Sequence, residues 1–157
     1  TENKRLNYED LQTKADAMSS AFSVLSKEVK NTEKCLIENS VLQKNIVQFA
    51  KTKAVYEDYK KSGYSPNFKE ENITEILLHQ AAKNHFKELG LKKLPTMAAL
   101  KNENKELFEK KKKVHAEYNQ TKKEMQEVLN AKANVESMLN LQKKEQEQTK
   151  KREENSR

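Results

Sequence analysis

The chain has 157 residues, of which 35% are charged and 34% are hydrophobic, and its formal net charge is +7. Typical globular domains contain roughly 25% charged and about 45 to 50% apolar residues, so this chain has few side chains for a large compact core. It has only two glycines and two prolines. Lys, Glu, Ala, Leu and Gln dominate instead, and this composition favours long helices with narrow apolar rows over disorder.

Several classes of protein are disfavoured by what the sequence lacks. The single Cys35 cannot form an internal disulfide, and there is no CxxC motif or Cys/His cluster of the kind that binds zinc. No apolar run approaches the roughly 18 to 20 residues that a membrane helix needs, and no signal peptide opens the chain, so we predict no membrane insertion. Because the chain begins TENKR instead of with Met, we expect it to be a piece of a larger protein.

The first predicted element is a long helix over residues 8–62, a stretch without Gly or Pro. A first set of apolar residues follows alternating intervals of four and three, which is typical of a coiled coil: Leu11, Ala15, Met18, Phe22, Leu25 and Val29. A second set has its phase shifted by about three residues: Leu42, Ile46, Phe49 and Tyr56. We therefore predict a change of supercoil or of partner between Val29 and Val41.

Residues 63–95 are predicted to connect two long helices. Gly63 and Pro66 favour a turn at the start of this segment. An amphipathic helix over 73–89 follows, and Gly90 is placed to end it in the left-handed conformation. Its expected apolar face consists of Leu78, Ala82, Phe86 and Leu89.

The second long helix is predicted over 96–149, with Thr96 as its N-cap. One apolar row recurs at intervals of seven, and a companion row accompanies it: Leu100, Leu107, Val114, Thr121, Val128 and Val135, with Tyr118, Met125 and Leu139. Asn104, Lys111 and Lys132 interrupt these rows, and polar residues at such positions trade stability for a defined register. Residues 143–157 have no apolar anchor, so we expect a fraying or disordered tail.

Together these elements predict an all-α fold in which two long helices form an antiparallel coiled-coil hairpin with a short helix at its tip. We predict a single elongated helical domain over residues 1–142. The same heptads could pair within one chain or between two, so a monomeric hairpin and a homodimer both remain open.

Catalysis is poorly supported by the sequence. His79 and His85 are six residues apart and His115 lies on another helix, whereas metal-binding pairs on one helix use spacings of three or four. There is no glycine-rich phosphate loop and no recognisable nucleophilic grouping. We therefore predict that this chain is not an enzyme and has no catalytic residue, metal site or cofactor.

The positive charge is concentrated between Lys83 and Lys123, a segment that contains twelve lysines and only five acidic residues. This local excess equals the net charge of the whole chain and favours a polyanionic partner such as DNA. Solvation of an exposed helix face is the alternative, because four consecutive helical residues span about 300° and Lys110 to Lys113 cannot all point one way. The candidate DNA-binding residues are Lys101, Lys105, Lys110, Lys111, Lys112, Lys113, Lys122 and Lys123.

Three stretches, in this order and spacing, resemble the C-terminal region of relaxases, the mobilisation nucleases of conjugative transposons in Gram-positive bacteria. They are VYEDYKKSGYSPNF at 55–68, LLHQAAKNHF at 77–86 and EKKKKVHAEYNQTKKEMQEVLNAKANVESML at 109–139. The resemblance runs from about Leu6 to Leu139. It implies a parent protein in the bacterial cytoplasm that nicks DNA through a tyrosine, with a metal held by a histidine cluster in an N-terminal nuclease domain that is not in this chain.

Two hypotheses of function follow. In the first, the chain is an accessory module of a relaxase that contacts the DNA backbone, docks other transfer proteins, or both. The residues expected to contact a protein partner at the tip are Tyr56, Tyr59, Tyr64, Phe68, His79 and Phe86. In the second, the chain is a structural coiled coil that spaces or dimerises the nuclease, and its lysines serve only solubility.

Overall fold

The computed structural model describes the backbone of residues 2–157 and the side chains of residues 7–157, so Thr1, where the predicted domain begins, lies outside it. Four helices follow one another: α1 (Glu2–Lys61), α2 (Pro66–Glu71), α3 (Ile73–Glu88) and α4 (Met97–Asn155). The described residues contain no strand. Because the long helices α1 and α4 pack against each other, the predicted all-α helical hairpin is confirmed.

Contacts within the chain group its residues into two compact units. Among the described residues, unit 1 consists of 2–30 and Lys112–Arg157, and unit 2 consists of Asn31–Lys111. Each unit contains a part of α1 and a part of α4.

In unit 1, the contacts between α1 and α4 run in opposite chain directions. The ring of Phe22 stacks on Tyr118 with 4.8 Å between centroids. The hydroxyl of Ser19 donates to the sulfur of Met125 at 3.8 Å. These pairs advance along α4 as they go back along α1, which makes the pairing antiparallel.

In unit 2, α1 and α4 are joined by polar contacts. The Asn39 Nδ2 donates to the backbone carbonyl of Leu100 at 3.0 Å, and both residues are buried. Glu33 forms an ion pair with Lys111 at 3.8 Å. The order of these pairs is again antiparallel.

The pattern of burial along α4 follows the predicted rows. A side chain is buried or half-buried alternately every fourth and third residue from Leu100 to Leu139. The polar residues Asn104, Lys111 and Lys132 occupy this row and are half-buried. The predicted heptad pattern of α4 is therefore confirmed, including its polar interruptions.

The burial pattern along α1 corrects one prediction. Buried and half-buried residues follow heptad spacing without a break from Ala15 to Ile46. The phase changes only after Ile46, where the next buried positions, Phe49 and Thr52, come in steps of three. The predicted change between Val29 and Val41 is wrong.

The physical reason is that polar residues continue the row of α1. Thr32 is 2% exposed, Asn39 is 5% exposed, and Gln43 is half-buried. A search for apolar residues misses these positions and so places the shift too early. A step of three in a heptad pattern changes the direction in which the row faces. Beyond this step, Thr52 contacts His79 of α3.

The buried face of α3 also differs from the expected one. Ile76 is fully buried, and His79, Ala82 and Phe86 are each less than 9% exposed. Leu78 and Leu89, which were expected on the same face as Ala82, are 41% and 49% exposed. The face of α3 is therefore turned so that a histidine occupies a core position.

The ends of α3 and the start of α4 have the expected local chemistry. Gly90 has a φ of +66°, and the N–H of Leu91 donates to the carbonyl of Phe86 at 3.1 Å. This is the backbone pattern that ends a helix at a left-handed residue. The hydroxyl of Thr96 accepts from the N–H of Ala99 at 3.1 Å, as an N-cap does.

The short helix α2 (Pro66–Glu71) was not expected. Pro66 stands at its start, and the hydroxyl of Ser65 accepts from the backbone N–H of Phe68 at 3.4 Å. Just before it, Gly63 and Tyr64 both have a positive φ, of 72° and 59°. These two residues make the turn that the sequence predicted, and Pro66 then starts a helix because its fixed φ suits the first helical turn.

The C-terminal part of α4 extends beyond the predicted end at Thr149. The helix continues through the segment expected to fray and ends at Asn155. Residues 143–157 are all exposed, and their sequence contains no apolar side chain.

We predict that Gly90→Ala lowers the free energy of unfolding by about 1 to 2 kcal/mol, because an L-residue is strained in the left-handed conformation. Apart from the glycine itself and its two chain neighbours, no described atom lies within 4 Å of the position of an added Cβ, so steric conflict adds nothing. Gly90→Asn is the control and should lose less, since Asn tolerates this conformation. Urea denaturation measures both, and equal losses would contradict the assignment.

Candidate functional sites

The candidate DNA-binding lysines of unit 2 do not share one environment. Lys101, Lys105 and Lys110 are exposed on α4. The side chain of Lys111 is only 37% exposed and its Nζ lies 3.8 Å from the carboxylate of Glu33. Lys111 thus belongs to the contact between α1 and α4, and it is less accessible to a partner than its neighbours.

The candidate lysines of unit 1 are all exposed: Lys112, Lys113, Lys122 and Lys123. Lys112 and Lys123 are eleven residues apart, which is close to three helical turns, so they lie on one face of α4 about 16 Å apart along its axis. That face is opposite Val114, which is 6% exposed. This part of α4 therefore presents lysines to solvent and apolar residues to α1.

Such lysines can attract phosphate oxygens but supply little sequence readout. A lysine ammonium is a flexible point charge, whereas base recognition in grooves usually depends on paired donors and acceptors held in a fixed plane. The chemistry of this surface is therefore neutralisation of a polyanion.

The second candidate site is an aromatic cluster built on α1 and α3. The His79 ring is stacked between Phe49 and Tyr56, with centroid distances of 4.6 Å and 4.4 Å. The hydroxyl of Thr52 lies 2.9 Å from Nδ1 of His79. Phe86 packs edge-on against Phe49 at 5.5 Å. One buried imidazole is thus enclosed by rings above and below.

The remaining predicted tip residues extend this cluster around Tyr59. The ring of Tyr64 lies edge-on to Tyr59 at 5.3 Å, and Phe68 stacks on Tyr59 at 6.1 Å. Tyr59 is 7% exposed, and Tyr64 is 56% exposed. The predicted tip residues are therefore brought together, but Tyr59, His79 and Phe86 are used in packing, and Tyr64 is the one with a largely free surface. Their binding to a partner stays a prediction.

Sequence reasoning missed two members of the cluster, Phe49 as a partner of His79 and Thr52 as its hydrogen-bonding group. The signal that could have found them is spacing. Phe49, Thr52, Tyr56 and Tyr59 follow steps of three and four that continue the buried row. On α3, His79 follows the fully buried Ile76 by three residues.

The environment of His79 lowers its pKa below the ordinary value of about 6.5. Burial is the main cause, and the positive charges of Lys83 and Lys60 act in the same direction. A hydrogen bond with the Phe49 backbone and the carboxylate of Glu57 oppose them without reversing the shift. His79 is consequently neutral at pH 7.

Both lysines that repel a proton from His79 lie near Tyr56. The Nζ of Lys83 is 5.0 Å and that of Lys60 is 5.4 Å from the centre of the Tyr56 ring. These are cation–π distances. The two lysines are therefore held close to the imidazole by the ring that stacks on it.

The described residues hold no group of three or more His, Cys, Asp or Glu side chains arranged to bind a metal ion. Cys35 is a half-buried free thiol. Over the same residues, none of the helices has the length and apolar character that crossing a membrane requires.

No protein-family model, no curated protein and no solved structure matches this chain. The resemblance to relaxases therefore stays a prediction.

We predict that the domain loses stability as the pH falls below about 6.5. The folded-state pKa of His79 is lowered, so on acidification the unfolded chain binds a proton more readily than the folded chain does. The free energy of unfolding is therefore highest above the unfolded-state pKa and decreases as the pH falls toward the folded-state pKa. Urea denaturation between pH 5 and 8 measures this loss. His79→Gln removes the titrating group, so its pH dependence should be weaker, and an unchanged slope would contradict the role of His79.

We also predict that Lys111→Leu raises the free energy of unfolding by about 1 kcal/mol. Leucine buries more apolar surface at this position, while a partly exposed ion pair contributes at most about 1 kcal/mol. Lys110→Leu, at an exposed neighbour, is the control and should change stability by less than about 0.5 kcal/mol. Thermal and urea denaturation test the pair, and a larger gain for the control would be inconsistent with Lys111 lying in the helix contact.

Proposed function

We propose that this chain is a non-catalytic helical module of a conjugative relaxase, working in the bacterial cytoplasm and holding DNA by its backbone through lysines of α4. The nuclease reaction belongs to another part of the parent protein. This module raises the local concentration of DNA and leaves the choice of sequence to the nuclease.

The observation that carries the proposal is the exposure of the lysines. All of the candidate lysines except Lys111 are exposed, and the segment that contains them holds the whole net positive charge of the chain. Clustered lysines that neutralise phosphates release condensed counterions, and this release drives binding that depends steeply on salt. A polyanion is the partner whose chemistry fits.

The position of Lys111 divides the run of four lysines into different roles. Its half-buried side chain pairs with Glu33, whereas Lys110, Lys112 and Lys113 are exposed. The contribution of Lys111 to DNA binding should therefore be smaller than that of its neighbours. The four consecutive lysines should therefore not contribute equally to phosphate binding.

The second candidate function is a structural spacer in the same parent protein. It is favoured by the contact between α1 and α4, which pairs side chains of the two long helices within the same chain. In that role the lysines would serve only to keep a long exposed helix in solution.

A matched pair of variants distinguishes the two functions. Replacing Lys112, Lys113, Lys122 and Lys123 by Gln should weaken binding to duplex DNA at least about tenfold at 50 mM salt. It should also reduce the slope of log affinity against log salt, by up to about 0.9 for each phosphate that the variant no longer neutralises. The control replaces Lys143, Lys144, Lys150 and Lys151 by Gln, which removes the same charge from the exposed end of α4.

Fluorescence anisotropy across a salt series, with transfer-origin DNA and unrelated DNA, makes the measurement. The proposal predicts similar affinity for both DNAs and weaker binding in the first variant alone. Absence of binding at 50 mM salt, or equal weakening in both variants, would favour the spacer. Finding no histidine-rich nuclease motif in the reading frame upstream of Thr1 would separately contradict the relaxase assignment.

A further inference from the structure

A shallow groove of about 540 Å³ lies in unit 2 between α1, α3 and the start of α4. Its apolar lining is formed by Val47, Leu78 and Met97. Val47 is 39% and Leu78 is 41% exposed, so these apolar side chains are partly open to solvent. These side chains are outside the buried rows that join the helices, so the groove is not a gap in the core.

The walls of the groove are held in place by the packing beneath it. The side-chain amide of Gln48 donates to the backbone carbonyl of Leu78 at 2.8 Å, which ties α1 to α3. Thr52, which also lines the groove, is 5% exposed and contacts His79. The groove is thus supported by the aromatic cluster and exists before a partner binds.

The charged residues that line the groove are of one sign. Lys44 and Lys51 lie along it on α1, and none of the described acidic side chains is part of its lining. They are seven residues apart, so they lie on one face of the helix about 10 Å apart along its axis. An occupant must bury apolar side chains against Val47, Leu78 and Met97 and offer negative charge to these two lysines.

The dimensions of the groove match a short helix. Its lining on α1 extends from Gln43 to Thr52, a length of about 14 Å or two and a half helical turns. A helix that lies in such a groove presents apolar residues at i, i+3, i+4 and i+7 along a comparable length. Carboxylates flanking that apolar face would lie beside Lys44 and Lys51.

We propose that this groove binds an acidic amphipathic helix of a partner protein. A nucleic acid fits it less well, because the phosphate backbone gains nothing from an apolar floor. A second copy of this chain also fits less well, since each copy carries a net charge of +7 and two copies therefore repel each other. The inference is independent of DNA binding by α4, because neither Lys44 nor Lys51 is among the lysines assigned to DNA.

The test uses a fluorescein-labelled synthetic helical peptide with leucines at i, i+3, i+4 and i+7 and glutamates at the other positions. Anisotropy with the full chain should show saturable binding. A peptide of the same pattern with lysines in place of glutamates should bind at least about tenfold more weakly, a difference of about 1.4 kcal/mol. Equal binding of the two peptides, or no binding of the acidic peptide at about 1 mM protein, would overturn the proposal.

Two pairs of variants locate the binding. Lys51→Glu should weaken binding of the acidic peptide about tenfold or more. Lys53 is exposed on the opposite side of α1, so Lys53→Glu should change the affinity for this peptide by less than about twofold. Val47→Ser should weaken it similarly, and Ile37→Ser should not, although Ile37 is even more exposed, at 64%. Circular dichroism confirms that each variant keeps its helices, and equal effects within either pair would place the peptide elsewhere.

The other occupants give distinct results. Duplex DNA that displaces the peptide from a chain carrying the four Lys→Gln changes of α4 would identify phosphate as the ligand and overturn the proposal. Dimerisation in sedimentation equilibrium that Val47→Ser abolishes would identify a second copy, again against it. A monomer that binds the acidic peptide whether or not DNA is present supports it.

Discussion

The structure depends on how buried residues are spaced along α1. Up to Ile46 they keep heptad spacing, and in unit 2 this row meets α4, with Asn39 bonded to the Leu100 carbonyl. After Ile46 the next two buried positions, Phe49 and Thr52, follow at intervals of three residues, so the buried row points in a different direction. Both residues contact His79 of α3. One continuous helix, which contains no proline, can therefore contact two different partners. The aromatic cluster and the groove above it both result from this change of phase.

Polar residues in the helix contact give it a defined register. A row of apolar side chains alone can slide by a heptad at little cost, whereas a buried hydrogen bond breaks when the register changes. Asn39 with Leu100 supplies such a bond, and Lys111 with Glu33 adds an ion pair nearby. This ion pair also explains why Lys111 differs from its neighbours, because a lysine held in the helix contact is less available to bind a phosphate.

The parts of this fold that could be predicted from sequence are those in which apolar spacing and structure agree. The buried row of α4 could be predicted because Leu100, Val114 and Val128 are spaced by multiples of seven, and Gly90 and Thr96 act as their chemistry suggests. The phase change in α1 was misplaced because Thr32 and Asn39 are buried despite their polarity. The groove is formed by residues of three helices that are distant in sequence, so no local sequence pattern predicts it. Exposure of the lysines follows from helix periodicity, but their ligand depends on chemistry outside the chain.

In this structure α1 and α4 pair antiparallel within one chain in a fixed register. Thiol cross-linking of S19C/M125C in a Cys35→Ser background tests it most directly, since Ser19 and Met125 are in contact at 3.8 Å. We expect rapid cross-linking within a monomer, read by mass and by non-reducing electrophoresis, and little cross-linking of the pair S19C/K132C, which is displaced by one heptad. Cross-linking mainly between two chains, or equally fast reaction of the displaced pair, would contradict it.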